Sequence, residues 1–207
     1  MSGPSRRTLA RRLESLEDFA EPSATLEQYL TPPEIAAHIC HLASLQGDLE
    51  RSVLDLGTGT GMLGIGAAMA GADRVVGVDV DPDALALARR NATEVGATAA
   101  IDWIRGDVRR HPLSITGATV LSNPPFGAQR GNRHADREFL ETARELATVS
   151  YTIHNEGSQS FVESFADDNG GTVTDAFAAE FDLPRQFDHH TEDIGSIDTE
   201  VFRIEWR

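Results

Sequence analysis

Four consecutive residues, Asn123-Pro124-Pro125-Phe126, place polar acceptors and an aromatic ring directly after an apolar stretch. Adjacent prolines stiffen the backbone and hold its carbonyl groups in fixed directions. We expect the Asn123 side-chain oxygen and the Pro124 carbonyl to accept both hydrogens of an aromatic amine, so that the nitrogen lone pair faces a methyl donor. Phe126 offers a surface on which a planar base can stack, a contact worth about 1–3 kcal/mol in single-strand binders. The pattern predicts methyl transfer by positioning and preorganised polarity, without a metal. A rigid turn without a ligand is the alternative.

A glycine-rich loop, residues 55–64, lies between a predicted strand and a predicted helix. Glycines there let the backbone turn sharply and approach a ligand closely. The segment Gly59-x-Gly61-x-x-Gly64 matches the dinucleotide fingerprint. However, a carboxylate two residues before Gly57 fits better with a nucleoside cofactor that has no pyrophosphate, such as S-adenosylmethionine.

Two aspartates follow the next two predicted strands. Asp79 ends the second strand, where a carboxylate can accept both ribose hydroxyls of a nucleoside. Asp81 precedes Pro82 and is expected to cap the following helix, which leaves Asp79 for the ligand. Asp107 follows the third strand and is predicted to accept the adenine amino group, with Val108 lining the ring. An ordinary turn at the strand end is the alternative for Asp107.

The elements that position these residues alternate between strand and helix from residue 52 onward. This order predicts an α/β fold with a mostly parallel sheet covered on both faces, in which the motifs meet at the carboxyl edge of the strands. The last two strands follow each other directly, so an antiparallel edge is expected. The predicted strands are 52–56, 74–79, 99–104, 118–122, 149–154, 172–183 and 197–206. The predicted helices are 8–19, one that Thr31 caps, 62–70, 81–91, 135–147 and 159–167. We expect a single domain over residues 1–207, with a helical extension over 1–50 and the core over 51–207.

Composition gives a formal charge of −15, from 33 acidic residues against 18 basic ones, all of which are arginine. This balance is typical of proteins from salt-loving organisms, where ionic strength screens self-repulsion. No apolar run is long enough for a membrane span and the start lacks a signal-peptide core, so a cytoplasmic protein is expected. Cys40 is the single cysteine, which excludes an internal disulfide. The pairs His38/His41 and His189/His190 are weak metal candidates, and no metal site is predicted.

Some segments of the chain are positively charged although the net charge is negative. Residues 105–137 contain six arginines against two aspartates, and they bracket the Asn123 motif. A second basic cluster lies near the start. Its members are Arg6, Arg7, Arg11 and Arg12. Residues 161–200, in contrast, carry eleven acidic side chains against Arg185. We interpret the two basic clusters as RNA contacts, with solvated arginines as the alternative.

These motifs together resemble class I S-adenosylmethionine-dependent methyltransferases, and most closely the methyltransferase-like protein five family of archaea and eukaryotes. Further matching segments are Leu26-Glu-Gln-Tyr-Leu-Thr-Pro32, Gly77-Val-Asp-Val-Asp81, Tyr151-Thr-Ile-His154 and Phe181-Asp-Leu-Pro184. The resemblance implies a Rossmann-like seven-stranded fold and methylation of the exocyclic amino group of an adenosine in small-subunit ribosomal RNA. It also implies a small zinc-binding activator subunit, for which the third strand, Ala99–Ile104, would be the covered edge.

The resemblance assigns roles to individual residues. Gln28 and Thr31 would contact the methionine end of the cofactor, Asp79 the ribose, and Asp107 with Val108 the adenine. Further lining residues would be Gly57, Gly59, Thr60 and Met62. The tetrad from Asn123 to Phe126 would accept the target base.

Three other functions remain open from the sequence. Related tetrads methylate a glutamine amide in a translation factor, although that family usually carries Tyr at the position of Phe126. A non-catalytic scaffold of a modification complex would not need an intact tetrad. A nicotinamide dehydrogenase would need an acid or base for hydride transfer, and the sequence offers no clear candidate.

Overall fold

A computed structural model describes residues 3–111, 113–125, 135–182 and 196–207. One seven-stranded sheet has the order β3-β2-β1-β4-β5-β7-β6. The strands are β1 (Val53–Leu56), β2 (Val75–Asp79), β3 (Ile101–Arg105), β4 (Ala118–Ser122), β5 (Ala147–Asn155), β6 (Gly171–Asp182) and β7 (Ser196–Trp206). The α-helices are α1 (Arg6–Leu13), α2 (Pro33–Leu45), α3 (Met62–Ala70), α4 (Pro82–Glu94), α5 (Ala135–Leu146) and α6 (Gln159–Asp168).

The pairing within the sheet confirms the predicted α/β class. β1 to β5 pair in parallel, whereas β7 pairs antiparallel with both β5 and β6. The reversed strand is therefore one position in from the edge. Every residue of β1, β2 and β4 is buried, as expected for parallel strands that are covered on both faces. β3 begins at Ile101, because residues 98–100 form a 3₁₀ turn, so the predicted start of this strand at 99 was early.

Small residues let α3 pack closely between the sheet and the N-terminal helices. A Cβ at Gly66 would lie 2.9 Å from the Cys40 sulfur, and one at Gly64 would lie 2.9 Å from a carboxylate oxygen of Asp55. Cys40 is fully buried in this contact, and burial raises the pKa of its thiol. Cys40 is thus a packing residue of α2.

The first helix is shorter than its apolar spacing predicts. It ends at Leu13, whereas the periodicity of leucines and Phe19 favours a helix to residue 19. The reason is a contact with α4: the Asn91 side chain accepts the Glu17 amide at 2.9 Å and donates to the Glu17 carbonyl at 3.1 Å. These bonds fix the chain after α1 in a non-helical course and direct Phe19 toward the carboxyl edge of the sheet.

Candidate cofactor and substrate site

A cavity of about 180 Å³ opens at the carboxyl ends of β1, β2 and β4. Twelve of the thirteen predicted site residues line it, so the structure brings them together, and their roles stay predictions. They are Gln28, Thr31, Gly57, Gly59, Thr60, Met62, Asp79, Asp107, Val108, Asn123, Pro124 and Pro125. The thirteenth, Phe126, lies outside the described residues.

The glycine loop is shaped by a buried carboxylate. Asp55 accepts hydrogen bonds from the Thr58 hydroxyl and, at 2.8 Å, from the Gly64 amide. Gly57, Gly59 and Gly61 have φ angles of 68°, 53° and 87°, a region that favours glycine. Burial raises the pKa of Asp55 to about 6. Asp55 therefore holds the loop from behind.

Asp79 is positioned to accept a ligand. One of its carboxylate oxygens accepts the Gly59 amide at 2.8 Å and the other accepts the Asp81 amide at 2.9 Å. Each oxygen retains acceptor capacity, since an ionised carboxylate has about four lone-pair sites. Burial raises the pKa of Asp79. As predicted, Asp81 caps α4 by accepting the Asp83 amide at 2.9 Å.

Gln28 connects the segment before α2 to this acidic corner. Its amide nitrogen donates to Asp81 at 2.7 Å, and its oxygen accepts the Ser23 amide at 2.8 Å. Both ends of the Gln28 amide are thus engaged within the chain. A contact between Gln28 and a cofactor's methionine end stays a prediction.

Asp107 is held by its own neighbour. Arg109 donates to Asp107 Oδ1 through its backbone amide and Nε, both at 3.0 Å, and to Oδ2 through Nη2 at 2.9 Å. Another guanidinium nitrogen lies 3.8 Å from Glu138 of α5. Arg109 holds the pKa of Asp107 below its usual range. Oδ1 is saturated, so Oδ2 is the oxygen with capacity for an adenine N–H.

Asn123 carries an unused acceptor in the wall of the cavity. Its amide nitrogen donates to the Thr31 hydroxyl at 3.1 Å. Its amide oxygen is buried and has no hydrogen-bond partner among the residues that the structure describes. A buried acceptor without a partner is costly, and its place beside Pro124 fits a base amino group.

The contact with Asn123 corrects one prediction. Thr31 is not the cap of α2: the N-cap is Pro32, and no side chain in the described part of the chain caps this helix end. The Thr31 hydroxyl instead accepts from Asn123, which lies 92 positions away in sequence. The local Thr-Pro-Pro-Glu pattern is typical of a helix start, but the long-range amide competes for the same oxygen.

Buried polar groups continue behind the tetrad. The Ser122 and Thr152 hydroxyls lie 3.3 Å apart, and Thr152 lies 3.0 Å from His154 Nε2. Burial lowers the pKa of His154 to about 4, so its imidazole is neutral near pH 7. His154 also lines a small recess with Pro124 and Pro125. These residues support the backbone from which Asn123 projects.

Two aromatic rings of the cavity were missed by sequence reasoning. A Cβ at Gly57 would lie 3.0 Å from the Phe139 ring, and one at Gly59 would lie 3.2 Å from the Phe19 ring. The Phe19 periodicity indicates only a buried helix face, and Phe139 lies on α5, beyond the tetrad. Their approach to glycines is the signal that separates them from ordinary core residues.

The cavity fits a nucleoside cofactor with an amino acid tail. The glycine loop offers a close backbone approach, and Asp79 and Asp107 offer acceptors for a ribose and an amino group. Within the described parts of the chain, no group of three or more His, Cys, Asp or Glu side chains could hold a metal ion. The arrangement can hold an aromatic amine at Asn123 next to such a cofactor.

Comparisons with known proteins agree with this chemistry. The model of the family described as methyltransferase small domain matches residues 37–150. The rRNA N(6)-adenosine-methyltransferase Mettl5 of Drosophila melanogaster is 32% identical over 96% of this chain and 95% of the fly protein. The METTL5 enzyme of Danio rerio is 34% identical over 93% of this chain and 94% of its own length. The crystal structure of PH1948 from Pyrococcus horikoshii superposes with a TM-score of 0.88 at 34% identity, covering 98% of both chains.

Proposed function

This chain belongs to the family of the METTL5 rRNA N(6)-adenosine-methyltransferases, and we propose on that premise that its substrate adenosine lies in small-subunit ribosomal RNA. It is a methyltransferase that uses S-adenosylmethionine and acts on the N6 amino group of an adenosine in ribosomal RNA. The observation that carries the mechanism is the buried Asn123 oxygen, which has no hydrogen-bond partner in the described parts of the chain. The Thr31 contact fixes the orientation of that amide.

The chain's own residues perform binding and orientation. When bound, S-adenosylmethionine supplies an electrophilic methyl group. Asp79 would hold the ribose, and Asp107 would hold the adenine through its free Oδ2 lone pair. The Asn123 oxygen and the Pro124 carbonyl would accept the two N6 hydrogens of the target, which directs the nitrogen lone pair to the methyl group. The gain comes from positioning and fixed dipoles.

The target base has to leave its stack to reach Asn123. Enzymes that act on a base inside a duplex flip the nucleotide into their site. Phe126, which directly follows the cavity residue Pro125, would supply the stacking surface for this base. A Phe126→Ala variant is therefore expected to weaken RNA turnover while S-adenosylhomocysteine still binds.

Radiolabelled methyl transfer tests the proposal. The wild-type chain should label ribosomal RNA and yield N6-methyladenosine on nuclease digestion, and it should not label a translation release factor. Asn123→Ala should lower the rate at least about a hundredfold, because it removes a hydrogen-bond acceptor used in the transition state. Its affinity for S-adenosylhomocysteine should change by less than a few fold. Labelling of a release factor glutamine, or a full rate in Asn123→Ala, would contradict the mechanism.

We also propose that a small zinc-binding activator subunit covers the outer edge of β3. This strand ends the sheet, and its half-buried Trp103 and Ile104 lie beside that edge. Unpaired sheet edges invite a partner strand. Hydrogen exchange on the chain with and without the activator should show new protection of the amides in 101–105. Protection at β6, the other end of the sheet, would contradict the placement.

The cellular location follows from the proposed substrate. Ribosomal subunits work in the cytoplasm, where their RNA is within reach of the enzyme, so we propose a cytoplasmic enzyme. No helix in the described residues is both long and apolar enough to cross a membrane.

A further inference from the structure

Three arginines of α1 form an exposed surface, which we call the α1 arginine face. They are Arg6, Arg7 and Arg11. Leu9 and Leu13 of the same helix are buried against its neighbours, and Arg6, although exposed, precedes them on that side by one and two turns. Among the described residues, no carboxylate oxygen lies within 4.0 Å of any of these three guanidinium groups. Arg12 differs, since it donates to the Val95 carbonyl at 3.1 Å.

Two of these cations stand where a helix disfavours them. Arg6 and Arg7 occupy the first turn of α1, which contains no acidic residue. The N-terminus of a helix carries a partial positive charge and favours acidic side chains. The chain contains 33 acidic residues and has a net charge of −15, so acidic side chains are abundant elsewhere in it. Arginines at this end that form no ion pair within the described residues do not stabilise the helix end, and an anionic partner would account for them.

The course of the chain connects this face to the cavity. A Cβ at Gly3 would lie 2.8 Å from the Ala70 carbonyl, at the end of α3, and a Cβ at Gly66 would lie 3.5 Å from Leu13. Phe19 then reaches Gly59 at the cavity. The segment thus runs antiparallel to α3, whose nine residues span about 13 Å. The arginine face begins about one α3 length from the glycine loop.

We propose that the α1 arginine face binds the phosphate backbone of ribosomal RNA several nucleotides away from the target adenosine. This inference rests on the proposed function and adds a docking surface to it. Arginine binds phosphate oxygens in a bidentate manner and is weakly hydrated. The exposed side of α1 carries Thr8 among its arginines and no apolar side chain, so it lacks the groups that insert into a lipid surface.

The test compares two double variants that lose the same charge. Arg6→Gln/Arg7→Gln removes the first-turn cations, and Arg144→Gln/Arg207→Gln removes two exposed cations elsewhere. Binding to in vitro transcribed small-subunit ribosomal RNA is measured between about 0.05 and 0.5 M KCl. The first variant should bind about tenfold more weakly at low salt, with a salt slope smaller by about 1.5 to 2. The second should remain within about twofold of the wild type.

Three further measurements separate docking from general damage. S-adenosylhomocysteine affinity and methyl transfer to a short RNA around the modified adenosine should be unchanged in Arg6→Gln/Arg7→Gln. Its Tm should not fall at 1 M KCl, where self-repulsion is screened, because the substitutions relieve an unfavourable helix-end charge. Equal losses in both double variants, an unchanged RNA affinity, or an equal loss on the short RNA would overturn the proposal. The proposal would also be overturned if the wild type bound anionic vesicles, and if Arg6→Gln/Arg7→Gln alone lost this binding while its RNA affinity stayed intact.

The two proposals fail in different ways. A wild-type chain that transfers no methyl group to RNA contradicts the proposed function. An active wild type whose RNA affinity does not depend on Arg6 and Arg7 contradicts only the docking surface.

Discussion

At the residue scale, the site depends on fixing one amide. The Asn123 oxygen can meet a base amino group only if the nitrogen of the same amide faces away, and the Thr31 hydroxyl accepts that nitrogen at 3.1 Å. Thr31 lies just before α2, and Asn123 lies just after β4. Thr31 is therefore a positioning residue for the acceptor, whether or not it also contacts the cofactor.

Replacing Thr31 by valine should lower the rate of methyl transfer. The change keeps the shape but removes the acceptor of the Asn123 amide nitrogen, and loss of one hydrogen bond costs about 1 kcal/mol. We expect a kcat reduced about five- to tenfold in single-turnover experiments, with Thr31→Ser close to the wild type. A Thr31→Val enzyme with normal kcat and a raised KM for S-adenosylmethionine would show that the hydroxyl serves the cofactor alone.

The Asp107–Arg109 pair predicts a pH dependence of cofactor binding. Arg109 lowers the pKa of Asp107, so the carboxylate stays ionised, and able to accept the adenine N–H, to more acidic pH. In Arg109→Gln the pKa of Asp107 rises toward its ordinary value. On acidification, this variant should therefore lose its affinity for S-adenosylhomocysteine at a higher pH than the wild type does. Calorimetric titrations from about pH 4 to 7 measure this fall in affinity, the acidic limb of the pH profile.

A neighbouring arginine gives the control for this pair. The Arg110 side chain lowers the pKa of Asp107 through its charge and less than Arg109 does, so Arg110→Gln should move the acidic limb less than Arg109→Gln does. Coincident limbs in the wild type and Arg109→Gln would mean that Asp107 takes no part in adenine binding.

The place where the candidate residues meet was predictable because their types mark strand ends. Asp79, Asp107 and Asn123 each follow a buried strand, and parallel strands bring such positions to one edge. Their fixing partners were not predictable. The Asn123–Thr31 bond joins loops 92 positions apart, and local patterns carry no information about which loops approach each other.

At the element scale, a buried ion pair joins the two ends of the chain's core. Arg203 of β7 lies 2.9 Å from Asp48, which also accepts the Tyr151 hydroxyl of β5 at 2.7 Å. Asp48 and Arg203 are 2% and 6% exposed, so neither charge is well solvated. The pair ties the turn after α2 to the antiparallel part of the sheet.

Asp48→Ala should strongly destabilise the fold. It leaves the Arg203 guanidinium buried without its main partner, and breaking such a pair costs about 3–5 kcal/mol. Urea unfolding measures the free energy of unfolding. The exposed pair Arg137–Glu141 is the matched control, and Glu141→Ala should cost less than about 1 kcal/mol. Similar losses in the two variants would contradict the importance of burial.

Helix and strand boundaries were predicted correctly where neighbouring residues alone determine them. The bounds of α3 and β4 agree with the prediction to the residue. The end of α1 was wrong because Asn91, on α4, binds the backbone at Glu17. The ion pair of Asp48 and Arg203, 155 positions apart, was likewise hidden, since tertiary contacts override periodicity.

At the scale of the whole molecule, charge has two opposite consequences. The net charge of −15 repels itself, and salt screens this repulsion because the Debye length falls from about 10 Å at 0.1 M to about 3 Å at 1 M. The proposed phosphate contacts of the α1 arginine face act in the other direction, because salt weakens such contacts. Folding should therefore improve with ionic strength while RNA binding declines.

Stability should rise with salt and then level off. We expect the Tm to increase by about 5 °C between 0.1 and 1 M KCl, equivalent to about 1–2 kcal/mol for a chain of this size. Screening depends on ionic strength, so sodium chloride and potassium chloride at equal ionic strength should give the same Tm. A Tm that does not change between about 0.1 and 1 M salt would show that self-repulsion is not what salt relieves.

The two effects together predict a salt optimum for activity on RNA. At low salt a reduced folded fraction limits activity, and at high salt weakened phosphate contacts limit it. The value of kcat/KM for ribosomal RNA should therefore pass through a maximum. In Arg6→Gln/Arg7→Gln the falling limb should be shallower, because fewer phosphate contacts are lost with salt. The rising limb should match that of Arg144→Gln/Arg207→Gln, which has the same net charge, since this limb reports folding. Assays of methyl transfer from about 0.05 to 2 M KCl measure both limbs, and a fall from the lowest concentration with a constant Tm would contradict the balance.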